Sequence, residues 1–251
     1  RLLLAAPILM PVAYLIDRKI PTPRQMRSLF LLALLGVVAN QIFFISGLKL
    51  TTATNASIIM LSTPIFTAAI GMIFGVEKQT PRRLAGIGLA VAGAFATLDF
   101  SNLGEGAQKA ALLGNALLII NCVAYAGFLV LQRPLLRELP PLTIIAWTLL
   151  FGGIIIVALG ASEMAKVDFA ALPRAVVLGV IFIAVFPTIF AYALNSWAIG
   201  KSSPSTAAAF NTLQPIVSSV LAALLLGERA GLRQLFGFVL IFSGLALVIS
   251  G

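Results

Sequence analysis

Long apolar runs broken by short polar segments occupy almost the whole chain. A helix needs about 20 mostly apolar residues to cross the hydrocarbon core of a bilayer. The runs predict helices at 2–16, 29–48, 53–75, 84–99, 110–132, 141–161, 174–199, 205–227 and 234–250. The gaps between them are too short for a folded extramembrane domain. The pattern therefore predicts an all-α membrane protein, a polytopic helical bundle.

Composition supports a membrane environment and restricts the chemistry. The chain is 60% apolar and 10% charged, whereas a soluble domain carries about 25% charged residues. The formal charge of +9 is spread over short gaps instead of one patch, which argues against a nucleic-acid partner. There is no His and a single Cys, Cys122, which excludes His-based metal sites and Ser-His-Asp catalysis. We expect no cofactor, no metal and no enzymatic activity.

The two halves of the sequence align without a gap when one is shifted by about 151 residues. The demanding residues that coincide are Pro64 with Pro215, Glu77 with Glu228, Gly86 with Gly237, and Gly93 with Gly244. Internal repeats of this kind are typical of secondary transporters. The second half holds five predicted helices and the first half four, so we expect one further helix before Arg1. An odd number of helices per repeat places the halves in opposite orientations, which predicts an inverted repeat.

The distribution of basic residues predicts the orientation in the membrane. If the 17–28 loop is cytoplasmic, ten Lys and Arg residues lie in inside loops and six in outside loops. Cytoplasmic loops carry the excess of basic residues in membrane proteins. We therefore expect the 17–28 and 77–83 loops in the cytoplasm and the 100–109 loop outside.

Several motifs recur in the two halves. In the first half they are Gly47 to Ala53, Asn55-Ala56, Pro64, Glu77 and Gly86. In the second half they are Ala198-Ile199, Ser202 to Pro204, Ala207, Pro215, Glu228 and Gly237. These motifs resemble the EamA domain of the drug/metabolite transporter superfamily. The resemblance implies ten helices in two inverted five-helix repeats, with both termini cytoplasmic. Nine helices would be present here, in repeats at 1–99 and 110–251, the first lacking its first helix and part of its second.

Polar side chains inside the apolar helices are the candidates for a substrate site, because polar groups in a bilayer tend to face the bundle interior. Several occupy matched repeat positions, since Gln41 corresponds to Tyr192 and Phe44 to Asn195. The predicted substrate-binding residues, which we expect around a central cavity near the bilayer midplane, are Gln41, Phe44, Asn121, Tyr125, Tyr192, Asn195, Asn211 and Gln214. Hydrogen bonding between helices is the alternative role for each of them.

Prolines and glycines add expectations about bending and packing. Pro64 and Pro215 lack an N–H and would each leave a backbone carbonyl without its usual donor one turn earlier. That carbonyl could bind substrate or permit bending, and a packing kink is the alternative. Gly71 and Gly75 form a small-xxx-small pair, and the 86–93 segment is rich in Gly. We expect both to serve close helix packing.

The acidic residues lie near the ends of predicted helices, which argues weakly against proton coupling through a buried carboxylate. Glu77 and Glu228 are next to Lys78 and Arg229. We expect interfacial ion pairs there, and the alternative is a gate contact that forms on one side of the membrane only.

The sequence as a whole predicts a secondary transporter that moves small amino-acid-like or amphipathic metabolites by alternating access, with export as the expected direction. The alternatives are a channel or a purely structural bundle and, with less support, a membrane-embedded enzyme. The expected location is the plasma membrane (the bacterial inner membrane), as a multi-pass protein. The expected partners are a small-molecule substrate and the lipid bilayer, and the protein would be a monomer or a homodimer.

Overall fold

The computed structural model describes residues 2–51, 56, 59–78, 80–97, 108–165, 173–214, 217 and 232–250. Within these ranges all regular structure is helical. The α-helices are α1 (Leu2–Asp17), α2 (Pro23–Ala33), α3 (Asn40–Leu50), α4 (Thr63–Ile73), α5 (Pro81–Thr97), α6 (Gln108–Leu135), α7 (Pro141–Met164), α8 (Arg174–Ile183), α9 (Ala191–Lys201), α10 (Pro204–Ala209) and α11 (Leu232–Ser250). Leu34–Ala39 and Ala184–Phe190 are π-helical, and Phe210–Leu213 forms a 3-10 turn. The predicted all-α membrane fold is confirmed.

Among the described residues, four continuous helices are long and apolar enough to cross a membrane: Pro23–Leu50, Ala110–Leu135, Pro141–Ser162 and Arg174–Lys201. Two of these spans contain a π-helical segment, so α2 continues into α3 and α8 into α9. Leu4–Asp17, Thr63–Ile73 and Leu235–Ser250 are shorter apolar helices.

One predicted boundary was wrong because a helix-start signal in the sequence was missed. The second span begins at Pro23 instead of residue 29. Thr22 Oγ1 accepts a hydrogen bond from the N–H of Gln25, and Gln25 Oε1 accepts one from the N–H of Thr22. This reciprocal capping box satisfies two backbone donors and starts the helix, with proline favoured at its first position. Most of the predicted 205–227 helix beyond Gln214 lies outside the described residues.

The chain folds into two compact units, each assembled from separate stretches of sequence. The first unit comprises Arg1–Ala39 and Leu131–Lys201, and the second comprises Asn40–Val130 and Ser202–Gly251. These units interleave in the sequence, so they differ from the repeats at 1–99 and 110–251. The repeat boundaries stay a prediction, because a compact unit is defined by contacts and a repeat by sequence correspondence.

At one end of the first unit, polar contacts join the loop after α1 to the start of α7. The Asp17 carboxylate accepts hydrogen bonds from the N–H of Thr143 at 3.1 Å and from its hydroxyl at 2.6 Å. Gln25 Nε2 donates to Glu138 Oε2 at 2.8 Å. A carboxylate is stabilised at a helix N-terminus by the free N–H groups there. These contacts place the 17–28 and 136–143 segments at the same end of the unit.

The second unit is built around an antiparallel crossing of α5 and α11. A Cβ placed on Gly86 would lie 2.7 Å from the carbonyl oxygen of Gly244, and one on Gly93 would lie 2.8 Å from that of Gly237. The backbones therefore approach too closely for any side chain at these positions. Buried Ile87, Val91, Ile241, Leu245 and Val248 flank the contact. The predicted packing role is confirmed for Gly86 and Gly93, whereas Gly88 faces open space.

The contacts of this crossing are reciprocal. The shift of about 151 residues pairs Gly86 with Gly237 and Gly93 with Gly244. Exchanging the halves therefore converts the Gly86–Gly244 contact into the Gly93–Gly237 contact. Such self-complementary pairing is what a two-fold axis generates. For two antiparallel helices that cross a membrane, an axis of this kind is perpendicular to the helices and lies in the membrane plane.

This packing predicts a position-dependent effect of adding one methyl group. Gly93→Ala and Gly244→Ala should each lower the stability of the protein by about 1–3 kcal/mol, because overpacking forces the backbones apart. Gly88→Ala is the matched control on α5, since no atom lies within 4 Å of its added Cβ. The control should be neutral or slightly stabilising, because alanine favours a helix over glycine. Thermal unfolding in detergent measures all three, and equal effects at the three positions would contradict the crossing.

Candidate functional site

The helix that leads into α4 is interrupted at Leu61–Ser62, which form a turn immediately before Thr63-Pro64. Pro64 cannot donate to the carbonyl of Met60, and Thr63 Oγ1 donates to that oxygen instead, at 2.7 Å. Ser62 Oγ donates to the carbonyl of Ile59 at 2.5 Å. The break therefore satisfies its own carbonyls through neighbouring hydroxyls, as a helix break within a membrane must.

A second interruption follows α10, where Phe210–Leu213 tightens into a 3-10 turn just before Pro215. Thr212 Oγ1 donates to the carbonyl of Ala209 at 2.7 Å. The N–H of Gln214 donates to the carbonyl of Asn211. A shift of 151 residues carries 61–62 onto 212–213, so the two breaks occupy matched positions. Because the carbonyls one turn before the prolines already accept hydrogen bonds within their own segments, the geometry favours bending over carbonyl binding of substrate.

The two π-helical segments of the first unit also correspond under the shift, which carries 34–39 onto 185–190. In the second segment, Pro187 has no N–H for the carbonyl of Ile183, and Thr188 Oγ1 donates to that oxygen at 2.8 Å. In the first segment, the carbonyl of Gly36 accepts a hydrogen bond from the Tyr192 hydroxyl at 3.2 Å. Short π-helical segments inside α-helices are frequent at functional sites.

In the second unit, α3 and α6 bring four of the predicted site residues onto two adjoining helices. A Cβ on Gly47 would lie 2.9 Å from the carbonyl oxygen of Gly114, so the two helices pack closely. Asn121 is buried, and its Nδ2 donates to the carbonyl of Asn40 at 2.7 Å. That carbonyl immediately precedes Gln41. The ring of Tyr125 stacks on Phe128, which is buried, with centroids 6.0 Å apart. Gln41 and Phe44 are half-buried.

Asn211 and Gln214, the other predicted site residues of this unit, are exposed on and just after the 3-10 turn. In a membrane, exposed side chains face either lipid or a water-filled space. Amides are costly against hydrocarbon, which offers no hydrogen-bond partner. Their exposure therefore favours a water-filled space.

In the first unit, Tyr192 and Asn195 lie on α9, three residues apart and thus on neighbouring positions of one helix face. Tyr192 donates to Gly36, as described above. Asn195 Oδ1 is buried and has no hydrogen-bond partner among the described residues. A cavity of about 320 Å³ in the same unit is lined by apolar residues of α1 and α7, such as Leu2, Ala6 and Ile154. The cavity includes none of the predicted site residues.

Comparison with known proteins gives the family. The profile of the EamA-like transporter family matches residues 1–98 and 112–250. The chain belongs to the EamA-like transporter family. It is therefore a multi-pass membrane protein of a transporter family, as its motifs suggested.

Relatives of this EamA-like protein occur in plants, archaea and bacteria. It is 29% identical to "Protein WALLS ARE THIN 1" of Arabidopsis thaliana, over all of this chain and 74% of the relative. It is 28% identical to an uncharacterized transporter of Archaeoglobus fulgidus, over 98% of this chain and 84% of the relative. The uncharacterized transporter YetK of Bacillus subtilis is 26% identical over all of this chain and 74% of its own length.

A solved crystal structure shares the fold of this EamA-like chain. The two superpose with a TM-score of 0.80, over 99% of this chain and 85% of the other, at 16% sequence identity. At that identity the likeness supports the fold and carries no information about substrate.

A buried hydrogen bond between Gln132 and Ser196 was not predicted from the sequence of this EamA-like protein. The Gln132 side chain is completely buried, and its Oε1 accepts a hydrogen bond from the Ser196 hydroxyl at 2.8 Å. Gln132 lies four residues beyond Phe128 on α6, so it shares the helix face that carries Asn121, Tyr125 and Phe128. Ser196 gave no signal in the sequence, because a serine in a membrane helix commonly bonds its own backbone.

The end of α4 corrects another expectation. Gly75 has φ +62°, and the N–H of Val76 donates to the carbonyl of Gly71 at 3.0 Å. This is the Schellman geometry that ends helices at a left-handed glycine. A Cβ on Gly71 would lie 2.9 Å from Glu77 Oε1, while one on Gly75 would meet open space. The prediction that Gly71 and Gly75 serve helix packing was therefore wrong: one ends the helix and the other makes room for Glu77.

The geometry predicts different roles for the two amides Asn121 and Asn211. Asn121→Ala removes a buried interhelical hydrogen bond and should lower stability by about 0.6 kcal/mol, and by no more than about 1.7 kcal/mol. Asn211→Ala is the matched control, since the exposed Asn211 side chain should leave stability unchanged. Thermal unfolding of the purified protein measures both. A loss of stability in Asn211→Ala that equals the loss in Asn121→Ala would make Asn211 a packing residue.

Proposed function

We propose that this protein is a secondary transporter that moves small neutral, zwitterionic or amphipathic metabolites by alternating access. The observation that carries the proposal is the pair of matched helix breaks, at Leu61–Ser62 and at Phe210–Leu213. In inverted-repeat transporters, substrate sites are typically formed by discontinuous helices near the bilayer midplane. Here each break precedes a matched proline, and the second break carries the exposed amides of Asn211 and Gln214.

The substrate class is inferred from the chemistry of the eight predicted site residues. Gln41, Phe44, Asn121, Tyr125, Tyr192, Asn195, Asn211 and Gln214 offer amides, hydroxyls and aromatic faces and carry no formal charge. Such groups suit amino-acid-like or amphipathic compounds. A polyanion such as a nucleotide sugar would require buried Lys or Arg side chains. We propose export across the plasma membrane, on the resemblance stated above.

Flux measurements on the full-length protein in vesicles distinguish this function from its alternatives. A carrier gives saturable uptake and counterflow, a channel conducts ions or solutes without counterflow, and an enzyme alters its substrate chemically. A panel of radiolabelled amino acids and amphipathic metabolites supplies the substrates. Saturable counterflow of at least one compound is the expected result, and conduction without counterflow would contradict the proposal.

Substitution of the exposed amides tests their contact with substrate. Asn211→Ala and Gln214→Ala should each weaken apparent affinity about threefold to tenfold, because one hydrogen bond contributes about 0.5–1.5 kcal/mol. Stability should stay unchanged, since neither side chain is packed. Phe210→Leu is the matched control on the same turn, because it removes no polar group. Unchanged affinity in both amide variants would place the site elsewhere.

A further inference from the structure

The carboxylate of Glu77 is buried and joins two short helices of the second unit. Its side chain is 7% exposed. Glu77 Oε1 accepts a hydrogen bond from the N–H of Ser205 at 3.0 Å and a second one from the Ser205 hydroxyl. Ser205 is the second residue of α10. Glu77 therefore ties the end of α4 to the start of α10 through charge-assisted hydrogen bonds, which are stronger than neutral ones.

The other carboxylate oxygen forms a long ion pair with a second partner but no hydrogen bond. Glu77 Oε2 lies 4.0 Å from Arg83 Nη1. Within the described residues, Glu77 Oε2 and Arg83 Nε are both buried without a hydrogen-bond partner. Buried polar groups are nearly always paired. An acceptor and a donor that lie this close and both lack a hydrogen bond point to a contact that tightens in another arrangement of the chain.

Glu77 joins α4 and α10, and each of these helices has a helix break at one end and the contact with Glu77 at the other. α4 begins directly after the turn at Leu61–Ser62 and ends at the Gly75 loop that carries Glu77. α10 begins beside Ser205 and ends at the 3-10 turn Phe210–Leu213. Arg83, in contrast, lies on α5, which is held by the close glycine crossing with α11. Glu77 can bond either to α10, which ends at a helix break, or to α5, which is held by the glycine crossing. The carboxylate therefore connects an interrupted helix to a closely packed one.

We propose that Glu77 is a positioning residue with two alternative partners, Ser205 when α10 is docked on α4 and Arg83 when α10 has moved away. Release of Ser205 then leaves no unpaired buried charge, because the guanidinium of Arg83 is already within 4.0 Å. The proposal rests on the alternating access proposed above and adds the contact that controls one of its steps. The expected ion pair of Glu77 with the adjacent Lys78 was wrong, because the buried carboxylate contacts Ser205 and Arg83 instead.

A cysteine introduced on α10 can report the movement of α10 away from α4 without any substrate. Ala208 is completely buried on α10, so the thiol of the Ala208→Cys variant is protected from modification while α10 is docked. The native Cys122 of α6 is also buried and serves as the internal control for general loosening. The full-length protein in lipid nanodiscs is treated with a small thiol reagent, and mass spectrometry follows modification at both sites.

Variants of Glu77, Ser205 and Arg83 should change the rate of thiol modification at position 208 in different directions. Glu77→Ala should speed modification at position 208 about tenfold, since loss of about 1.4 kcal/mol changes a population ratio by that factor. Ser205→Ala should act in the same direction to a smaller extent, because the Ser205 N–H remains. Arg83→Gln should slow modification, because it removes the partner that receives the carboxylate after release. Glu138→Gln, a change of an exposed carboxylate elsewhere, should have no effect.

Two results would overturn the proposal. Equal acceleration at Cys122 and at position 208 in Glu77→Ala would show that the contact only stabilises the unit. Acceleration by Arg83→Gln as large as that by Glu77→Ala would show that Arg83 supports the docked arrangement alone. Because the readout is thiol modification, these outcomes are distinct from the failure of counterflow that would contradict transport itself.

Discussion

Hydrocarbon offers no hydrogen-bond partner to a protein backbone, and this constraint explains most of the described structure. Each unsatisfied N–H or carbonyl costs several kcal/mol in a bilayer, by order of magnitude, so all regular structure in the described ranges is helical. Where the helices depart from regular geometry, hydroxyls replace the missing donors. Thr63 serves the carbonyl that Pro64 cannot reach, Thr188 does the same beside Pro187, and Thr212 bonds Ala209 before Pro215. A proline with a neighbouring threonine is therefore a break that the membrane tolerates.

The same chain combines a rigid contact with pliable ones. At the α5–α11 crossing, Gly86 and Gly93 meet Gly244 and Gly237 with no space for a side chain. Interiors packed this closely transmit displacement instead of absorbing it. The helices are interrupted before the matched prolines, and the second break carries the exposed amides of Asn211 and Gln214. A carrier needs both properties, since one part must move while another keeps the halves in register. Glu77 lies between the two, with α10 on one side and α5 on the other.

The sequence predicted the helical architecture and the close packing at Gly86 and Gly93 because both depend on local pattern. Apolar runs fix the spans, and glycines spaced along one helix face indicate close approach. Contacts between distant residues had no such signal: nothing in the sequence links Glu77 with Ser205, or Gln132 with Ser196. Gly71 and Gly75 were misinterpreted because the same spacing serves both helix packing and a helix end. The start of α2 was visible in Thr22 and Gln25, and the apolar pattern alone placed it six residues too late. The substrate-binding role of the eight polar and aromatic residues stays a prediction.

Transport by this chain depends on two inverted halves that carry matched helix breaks and meet at one reciprocal crossing. An electron cryo-microscopy structure of the full-length protein in a lipid bilayer tests this arrangement. We expect a rotation close to 180° about an axis in the membrane plane to superpose the 63–97 segment on the 214–248 segment, with Pro64 on Pro215. A best superposition about the membrane normal, or a displacement of the two prolines by a helical turn of about 5.4 Å, would contradict it.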